Sequence, residues 1–248
     1  MNIAVCVSHV PDTATKVKIG PDGKSIDHAG VTFIINPYDE FAVEEALKTK
    51  DKFGGEVTVI SIGGPVNKET IMKALAMGAD KGILLKDESV KDSFGIAKTL
   101  AEELKNNNYD IIFFGKQSVD FDDAITGQLT AELLGYNCIS LVVDLKIDNN
   151  KIIAEREIEG GREVVETELP AVITAQKGLN EPRYASLKGI MSAKKKIIEE
   201  KPALQTENLS DIIRMDKPPG KQPGRILGTG SSTVIELVKL LHEEVKII

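Results

Sequence analysis

Short apolar, β-branched runs alternate with segments of helical periodicity over the first half of the chain. The runs that predict strands cover residues 3–8, 57–62, 82–85, 111–114 and 139–143. This alternation is typical of a parallel sheet with helices packed on its faces. The sequence therefore predicts a doubly wound, mostly parallel α/β fold.

Four helices are predicted between these strands. The first begins at Pro37, with Asn36 as its cap, and ends before Gly54. The second carries an apolar face from Ile71 to Met77 and ends at Gly78. The third covers about 94–104, and the fourth covers about 125–134 and ends at Gly135.

Residues 18–26, centred on Pro-Asp-Gly, predict a small β-hairpin after the first strand. The second half, from Leu145, has a different pattern. Residues 152–158 and 163–168 predict an antiparallel pair, followed by an apolar run over 171–175. The stretch between Lys196 and Thr229 is rich in Pro, Gly and charged residues. The last helix is predicted over about 232–245, with an apolar face of Val234, Leu237, Val238 and Leu241. We therefore expect an α/β nucleotide-binding domain over 1–200 and an arm over 201–248 that packs on another subunit.

Composition excludes several classes of protein. The chain has 248 residues, 42% hydrophobic and 28% charged, with a net charge of -7, so most of it is expected to fold. Aromatics make up 4% and Trp is absent, which with the acidic balance argues against nucleic-acid binding. No apolar run approaches the ~20 residues of a membrane span, so we expect a cytoplasmic protein or a mature organellar one. Cys6 and Cys138 lie in apolar runs and are expected to be buried thiols rather than a disulfide.

The histidines offer little basis for catalysis. His9, His28 and His242 have no ligand spacing among them, so metal-site and Ser-His-Asp interpretations lose their basis. His9 follows the first strand, at the edge where open α/β sheets bind ligands. The alternative is a solvated loop residue.

The densest candidate site covers residues 115–128, from the end of a strand into a helix. Glycines here let the backbone approach a ligand, and free N–H groups at the helix start attract phosphate. Neither Gly-x-Gly-x-x-Gly nor a Walker sequence is present. The alternative is a βα loop in which Asp120, Asp122 or Asp123 caps the helix, and these carboxylates also raise the possibility of Mg²⁺. The pattern alone leaves these alternatives open.

Residues 178–187 form a second candidate site. Leu179, Arg183 and Tyr184 on one loop suit a protein-recognition surface. The alternative is an ordinary connection whose Leu and Tyr pack inward. The lysines at 194–196 predict a solvated face, and the alternative is a site for an acidic partner or a phosphate.

Four motifs resemble one known family across nearly the whole chain: the β subunits of electron transfer flavoproteins. The motifs are Val-Pro-Asp (10–12), Ile-Asn-Pro-Tyr-Asp-Glu-Phe-Ala-Val-Glu-Glu-Ala (35–46), Lys-Ala-Leu-Ala-Met-Gly-Ala-Asp (73–80) and the segment from Leu-Asn-Glu-Pro-Arg-Tyr to Lys-Lys-Lys (179–196). Gly-Lys-Gln at 115–117 fits as well. The resemblance implies an adenine-nucleotide α-hydrolase-like fold and an electron-carrier subunit that is not an enzyme by itself.

The resemblance also implies cofactors. An α subunit holds most of the electron-carrying FAD, with residues 10–13, including Thr13, near its flavin ring. The β subunit itself buries a second nucleotide, AMP in most members. The residues expected around that nucleotide are Cys6, Val7, Asn36, Asp39, Ile62, Gly115, Gln117, Asp120, Asp122, Asp123, Ala124, Ile125, Thr126, Gly127 and Gln128, with the last three at the phosphate.

One departure concerns the nucleotide. Electron-bifurcating members bind a second FAD and typically carry Asp-Gly-Asp-Thr-Ala-Gln-Val-Gly where this chain has Phe121 in place of a Gly and Ile125 in place of a Gln. The Thr126-Gly127-Gln128 ending is closer to the AMP-binding group. We therefore expect AMP and keep the second FAD as the alternative.

The resemblance assigns partners too. The recognition loop of the family docks dehydrogenases such as acyl-CoA dehydrogenases, and Leu179 is the expected anchor in an apolar pocket. The other loop residues expected to bind the partner are Asn180, Glu181, Pro182, Arg183 and Tyr184. A hypothesis from another class is a stand-alone nucleotide-binding sensor, which would need neither this loop nor the arm.

Overall fold

The computed structural model describes residues 1–221 and 223–248. The strands are β1 (Asn2–Cys6), β2 (His9–Pro11), β3 (Phe33–Ile35), β4 (Glu56–Gly63), β5 (Lys81–Lys86), β6 (Ile111–Gly115), β7 (Asn137–Asp148), β8 (Lys151–Ile158), β9 (Gly161–Glu168), β10 (Ala171–Ala175) and β11 (Ile198–Pro202). The helices are α1 (Pro37–Phe53), α2 (Asn67–Met77), α3 (Ser93–Leu104), α4 (Thr126–Leu134), α5 (Leu187–Ala193) and α6 (Val234–Leu240). A 3-10 turn (Ser231–Thr233) precedes α6 and a π-helical turn (Leu241–Val245) follows it.

Nine strands form one sheet in the order β11-β5-β4-β1-β6-β10-β7-β8-β9. Pairing is parallel from β11 to β7 and antiparallel from β7 to β9. β2 and β3 form a separate antiparallel pair. The predicted mostly parallel sheet with added antiparallel strands is confirmed.

Two apolar cores cover the two faces of the sheet, because successive strand residues point to opposite sides. On one face, Ile3 and Val5 pack with Val43 and Leu47 of α1 and Leu75 of α2. On the other face, the alternate residues of the same strands pack with α3 and α4, through side chains that include Ala4, Cys6, Ile112, Leu100 and Ala131. This is the doubly wound arrangement that the sequence predicts.

Several local predictions need correction. The predicted hairpin over 18–26 is reduced to one isolated bridge between Ile19 and Ile26. Cys138 is exposed although its neighbours in the sequence are apolar, whereas Cys6 is buried as expected. β11 was not predicted, since its sequence, Ile-Glu-Glu-Lys-Pro, is mostly charged. It covers the edge of β5, and the expected domain boundary at residue 200 falls inside it.

The arm leaves the sheet after β11 and is fastened at its root. Asp92 caps α3 by accepting a hydrogen bond from the Gly95 N–H at 2.8 Å, and it also accepts from the N–H groups of Leu209 (2.7 Å) and Ser210 (2.9 Å). Beyond this root, large apolar side chains face solvent in the chain alone, including Ile213 and Ile226 at 81% and 89% exposure. On the predicted apolar face of the last helix, Val234, Leu237 and Val238 are about half exposed, and Leu241 is partly buried.

Candidate functional site

The candidate site lies at the carboxyl ends of β1 and β6. After β1 the chain adds β4 and β5 on one side, and then crosses over to place β6 on the other side of β1. This reversal opens a crevice between two neighbouring strands, which is where open α/β sheets bind ligands. Most of the predicted nucleotide residues lie at this edge, on the ends of β1, β4 and β6, at the start of α1, and on the loop into α4.

Asn36 and Asp39 join the elements around the crevice. The Asn36 amide donates to Asp39 Oδ1 and to the Gln117 carbonyl, both at 2.8 Å, and its Oδ1 accepts from the Val119 N–H at 3.2 Å. Asn36 sits at the N-cap position of α1, but its side chain makes no capping bond. The predicted N-cap position of Asn36 is therefore confirmed, but its amide binds the loop after β6 and not the start of the helix.

Asp39 is buried between β1 and β6. Its carboxylate accepts hydrogen bonds from the Ser8 N–H at 2.7 Å and the Gly115 N–H at 3.1 Å, in addition to the Asn36 amide. Burial raises the pKa of Asp39 to about 7, against the three donors, which lower it. Gly115 is required at this point, because a Cβ there would lie 2.3 Å from Asp39 Oδ1.

The start of α4 has no side-chain cap. Ile125 holds the N-cap position without a capping bond. Asp120 accepts from the Phe121 N–H, Asp122 from the Gln117 amide, and Asp123 from the Ser93 hydroxyl. Within the described residues, none of the three carboxylates caps the helix, so the interpretation of this loop as a capped βα connection is wrong.

The loop into α4 has an unusual backbone and an orphaned polar atom. Asp122 and Ala124 adopt left-handed conformations, with φ of 56° and 43°, and such residues concentrate at functional sites. Gln128 donates its amide to the Ala124 carbonyl at 2.8 Å, while its Oε1 is buried without a partner among the described residues. Gly127 lets α4 lie close to β10, since a Cβ there would meet Thr174 Cγ2 at 2.7 Å.

Other predicted residues lie around this edge. Cys6 and Val7 are buried at the end of β1, and burial raises the pKa of the Cys6 thiol. Ile62 is partly buried at the end of β4. Thr13 is exposed, and its neighbours Asp12 and Ala14 help to line an open depression of ≈ 510 Å³.

His9 is neither at the crevice nor a solvated loop residue. It begins β2, stacks on Phe33 with ring centroids 5.0 Å apart, and its Nδ1 lies 2.8 Å from the Thr70 hydroxyl. Burial lowers the pKa of His9. Its role in this chain is therefore to pack the β2–β3 pair against α2.

The second candidate site is the loop–helix segment, residues 179–196, which includes α5. Leu179 is only 8% exposed and belongs to the core under α1. An anchor in a partner's pocket has to be exposed, so the folded chain does not present Leu179 for that role. Tyr184 is 99% exposed, and Leu187 and Met191 of α5 are exposed as well.

Carboxylates of α1 hold the loop. The Arg183 guanidinium donates to both carboxylate oxygens of Glu44, at 2.8 and 2.9 Å, and the Arg183 N–H donates to Glu44 Oε2 at 3.0 Å. The Asn180 amide donates to the Phe41 carbonyl and to Glu45 Oε2, both at 2.9 Å. The hydrogen bonds to Glu44 raise the pKa of Arg183 further. Glu181 and Pro182 lie between these two fixed points.

The rest of the segment is joined to α2. A Cβ at Gly189 would lie 2.3 Å from the Ala76 carbonyl oxygen, so α5 packs closely on this helix. Lys196 donates to the Leu75 carbonyl at 3.0 Å and to the Ala79 carbonyl, and burial lowers the pKa of its amine. Lys196 therefore caps the end of α2, whereas Lys194 and Lys195 are solvated. The motif over 73–80 is thus in contact with the motif over 179–196.

The described residues contain no group of three or more His, Cys, Asp or Glu side chains placed to hold a metal ion. No helix among them is long and apolar enough to cross a membrane.

Comparison with known proteins gives consistent matches. A family model described as the electron transfer flavoprotein domain matches residues 24–205. The electron transfer flavoprotein subunit beta of Bacillus subtilis is 38% identical, with 100% of each chain covered. The mitochondrial subunit beta of Arabidopsis thaliana is also 38% identical, with 100% of each chain covered. The subunit beta of Clostridium acetobutylicum is 43% identical over 78% of this chain and 75% of its own length.

Proposed function

The chain belongs to the electron transfer flavoprotein family, as a subunit of the β type, and from this premise we propose that it shuttles electrons from dehydrogenases to a downstream acceptor as half of a heterodimer with an α subunit. In this proposal the β subunit catalyses no reaction by itself and works in the cytoplasm. It binds AMP structurally, helps to hold the FAD of the α subunit, and presents a surface to the dehydrogenase.

The observation that carries the nucleotide proposal is the uncapped start of α4 at the crevice. A helix start that leaves its N–H groups without a side-chain acceptor is a ready site for phosphate. Thr126, Gly127 and Gln128 would bind the phosphate through these N–H groups. Asn36 and Asp39 would fix the crevice by holding the ends of β1 and β6 together.

The residues present fit AMP in a second respect. Gln128 Oε1 is buried without a partner among the described residues, and such an atom is normally satisfied. A nucleotide hydroxyl or amino group would satisfy it. Phe121 and Ile125 lie on the same loop and are about half exposed. A second FAD, which is longer than AMP, would need the room that these apolar side chains occupy. AMP is therefore the nucleotide that we propose.

The FAD proposal concerns residues 10–13 and the depression beside them. When bound, the flavin accepts and donates electrons, so the heterodimer needs no proton relay from this chain. Thr13 and its neighbours would approach the flavin of the α subunit at this surface. In this proposal these residues limit the access of water to the flavin and fix the orientation of the flavin.

Two surfaces suit protein partners. The loop–helix segment exposes Tyr184, Leu187 and Met191 and would dock the dehydrogenase, for example an acyl-CoA dehydrogenase. The arm exposes a long series of apolar side chains and would embrace the α subunit, which would bury them.

The test is to coexpress both subunits, denature the purified heterodimer, and count the released nucleotides by chromatography. We expect a yellow complex with one FAD and one AMP. Two FAD and no AMP would support the electron-bifurcating alternative. A stable, colourless homodimer that does not associate with the α subunit would support the alternative of a stand-alone sensor.

A matched pair of variants locates the AMP. Gln128→Leu removes the orphaned oxygen and should lower the AMP content while the FAD content stays at the wild-type value. Glu132→Leu changes an exposed side chain one turn later on α4 and should leave both contents unchanged. Equal AMP content in the two variants would contradict the assigned site.

A further inference from the structure

A buried carboxylate lies outside the proposed nucleotide site. Glu44 lies on α1, and its side chain is only 7% exposed although it carries a charge. A buried charge of this kind needs partners, and those of Glu44 come from the loop–helix segment. We infer that Glu44 is a positioning residue, which sets the shape that the loop–helix segment presents to its partner. The inference rests on the proposed docking function of that segment.

The contacts of Glu44 fix both the side chain and the backbone of Arg183. The guanidinium binds the two carboxylate oxygens side by side, which is the strongest geometry for such a pair. The same carboxylate accepts from the Arg183 N–H, so it also fixes the main chain. Asp51, an exposed residue farther along α1, accepts a third bond from the guanidinium at 3.0 Å.

A second contact holds the start of the loop. The Asn180 amide binds the Phe41 carbonyl and Glu45, so the backbone is tied to α1 at residues 180 and 183. Only Glu181 and Pro182 lie between these points. Because both ends are fixed, Tyr184 and the start of α5 must project from the body. The exposed surface of the segment thus depends on a helix distant from it in sequence.

Charge makes this surface distinct from the rest of the chain. Residues 182–198 contain Arg183, Lys188 and Lys194–Lys196 and no Asp or Glu, in a chain whose net charge is -7. Arg183 and Lys196 bind groups of the body, which leaves Lys188, Lys194 and Lys195 beside the exposed apolar residues. This arrangement suits an apolar surface with carboxylates at its border on the dehydrogenase.

Stability alone does not explain the Glu44–Arg183 pair. Glu44 is buried, whereas the Arg183 side chain is 38% exposed. Removal of Arg183 alone would leave a buried charge without its partner, whereas replacement of both residues by apolar ones removes that charge as well. A positioning role therefore predicts that stability and docking respond differently when both partners are replaced, whereas a purely stabilising role predicts that they change together. With both partners replaced, stability returns while docking stays impaired.

The experiment uses the heterodimer, an acyl-CoA dehydrogenase as the electron donor, and Glu44→Gln. We expect the KM for the heterodimer to rise about tenfold, equivalent to about 1.4 kcal/mol, with kcat and FAD content unchanged. Hydrogen exchange of the heterodimer should become faster in residues 179–193. Wild-type values for both KM and exchange would overturn the inference.

Controls separate positioning from stability. Glu40→Gln breaks an exposed ion pair with Lys73 on the same helix and should change neither KM nor exchange in the segment. The double variant Glu44→Met/Arg183→Met should recover the thermal stability of the wild type and keep the raised KM. A wild-type KM in the double variant would contradict the positioning role.

A third variant distinguishes failure of the inference from failure of the proposed function. Tyr184→Ala changes a fully exposed side chain without touching Glu44. If Tyr184→Ala raises KM and Glu44→Gln does not, the segment docks the dehydrogenase but Glu44 does not position it. If Tyr184→Ala leaves KM unchanged, the proposed docking function of the segment is wrong.

Discussion

The nucleotide crevice and the loop–helix segment are both held by a buried carboxylate of α1, and the two carboxylates are stabilised in opposite ways. Asp39 is bound by two backbone N–H groups and an amide, and no Lys, Arg or His within the described residues forms an ion pair with it. Glu44 is bound by the guanidinium of Arg183. One helix therefore fixes both candidate sites through different chemistry.

The difference determines what each site tolerates. Every residue except proline supplies a backbone N–H, so two of the three donors to Asp39 depend on close backbone approach, and only Asn36 contributes a particular side chain. The loop–helix segment depends on the identity of Arg183, because no other side chain donates in the same planar, bidentate way. We expect the crevice to be sensitive to added volume and to pH, and the segment to be sensitive to loss of particular side chains.

Leu179→Ala should have the largest effect on stability, and it tests how the loop–helix segment is held. Leu179 packs in the core, so its truncation is expected to lower the free energy of unfolding by about 3 kcal/mol. Urea unfolding measures this change, with Tyr184→Ala as the exposed control, which should stay within about 0.5 kcal/mol of the wild type. A stable Leu179→Ala variant with slower dehydrogenase turnover would instead restore Leu179 as the anchor.

Gly115→Ala tests the close approach at the crevice. The new Cβ would meet Asp39 Oδ1 at 2.3 Å and the backbone of Tyr38 at 2.7 Å, and such overpacking typically costs about 2 kcal/mol. We expect a lower free energy of unfolding, measured with urea, and a lower AMP content of the heterodimer. Gly161→Ala adds the same methyl group where no atom lies within 4 Å and should be close to neutral. Equal stabilities of the Gly115→Ala and Gly161→Ala variants would contradict the sensitivity of the crevice to added volume.

The titration of Asp39 makes the crevice the pH-sensitive site. Its pKa rises from about 3.9 in the unfolded chain to about 7 in the folded one, so the folded chain binds the extra proton in between. The stabilisation is complete below pH ~4 and is lost as the pH rises through about 7, with a slope of at most about 1.4 kcal/mol per pH unit. Asp39→Asn should remove this slope from unfolding curves, and Asp51→Asn, at an exposed site on α1, should keep it. An unchanged slope in Asp39→Asn would assign the pH dependence to another group.

Lys196→Met should have the smallest effect and concerns the far end of the segment. Without the amine, the carbonyls of Leu75 and Ala79 lose a charged donor at the end of α2, at a cost of about 1 kcal/mol. Lys195→Met, the solvated neighbour, should be neutral in the same thermal unfolding assay. If both variants lose the same stability, Lys196 is no cap.

Much of the fold was predictable because its patterns are local. The alternation of apolar runs with helical segments gave the parallel strands, and Gly54, Gly78 and Gly135 end the helices as expected. The carboxyl-edge location of the nucleotide residues follows from strand order. The motifs over 35–46 and 179–196 were also visible in the sequence.

The contact between these motifs was not predictable from either one. Glu44 and Glu45 read as the solvent-facing charges of an amphipathic helix, and only Arg183 and Asn180, far along the chain, show why they are buried. Leu179 was misplaced because an apolar residue on a loop has the same local pattern whether it faces a partner or the core. β11 escaped prediction because strand pairing at an edge requires backbone groups and few apolar side chains.

The late position of β11 in the chain has a consequence for biosynthesis. β5 is an interior strand only because β11 pairs with it, yet the ribosome makes β11 after every other strand of the sheet. Until then the nascent chain carries an open edge whose central residues, Gly82–Leu85, are apolar or small and fully buried in the finished protein. Such an edge invites pairing with other chains. The charged strand that closes it thus ends the interval in which a growing chain is most vulnerable to aggregation.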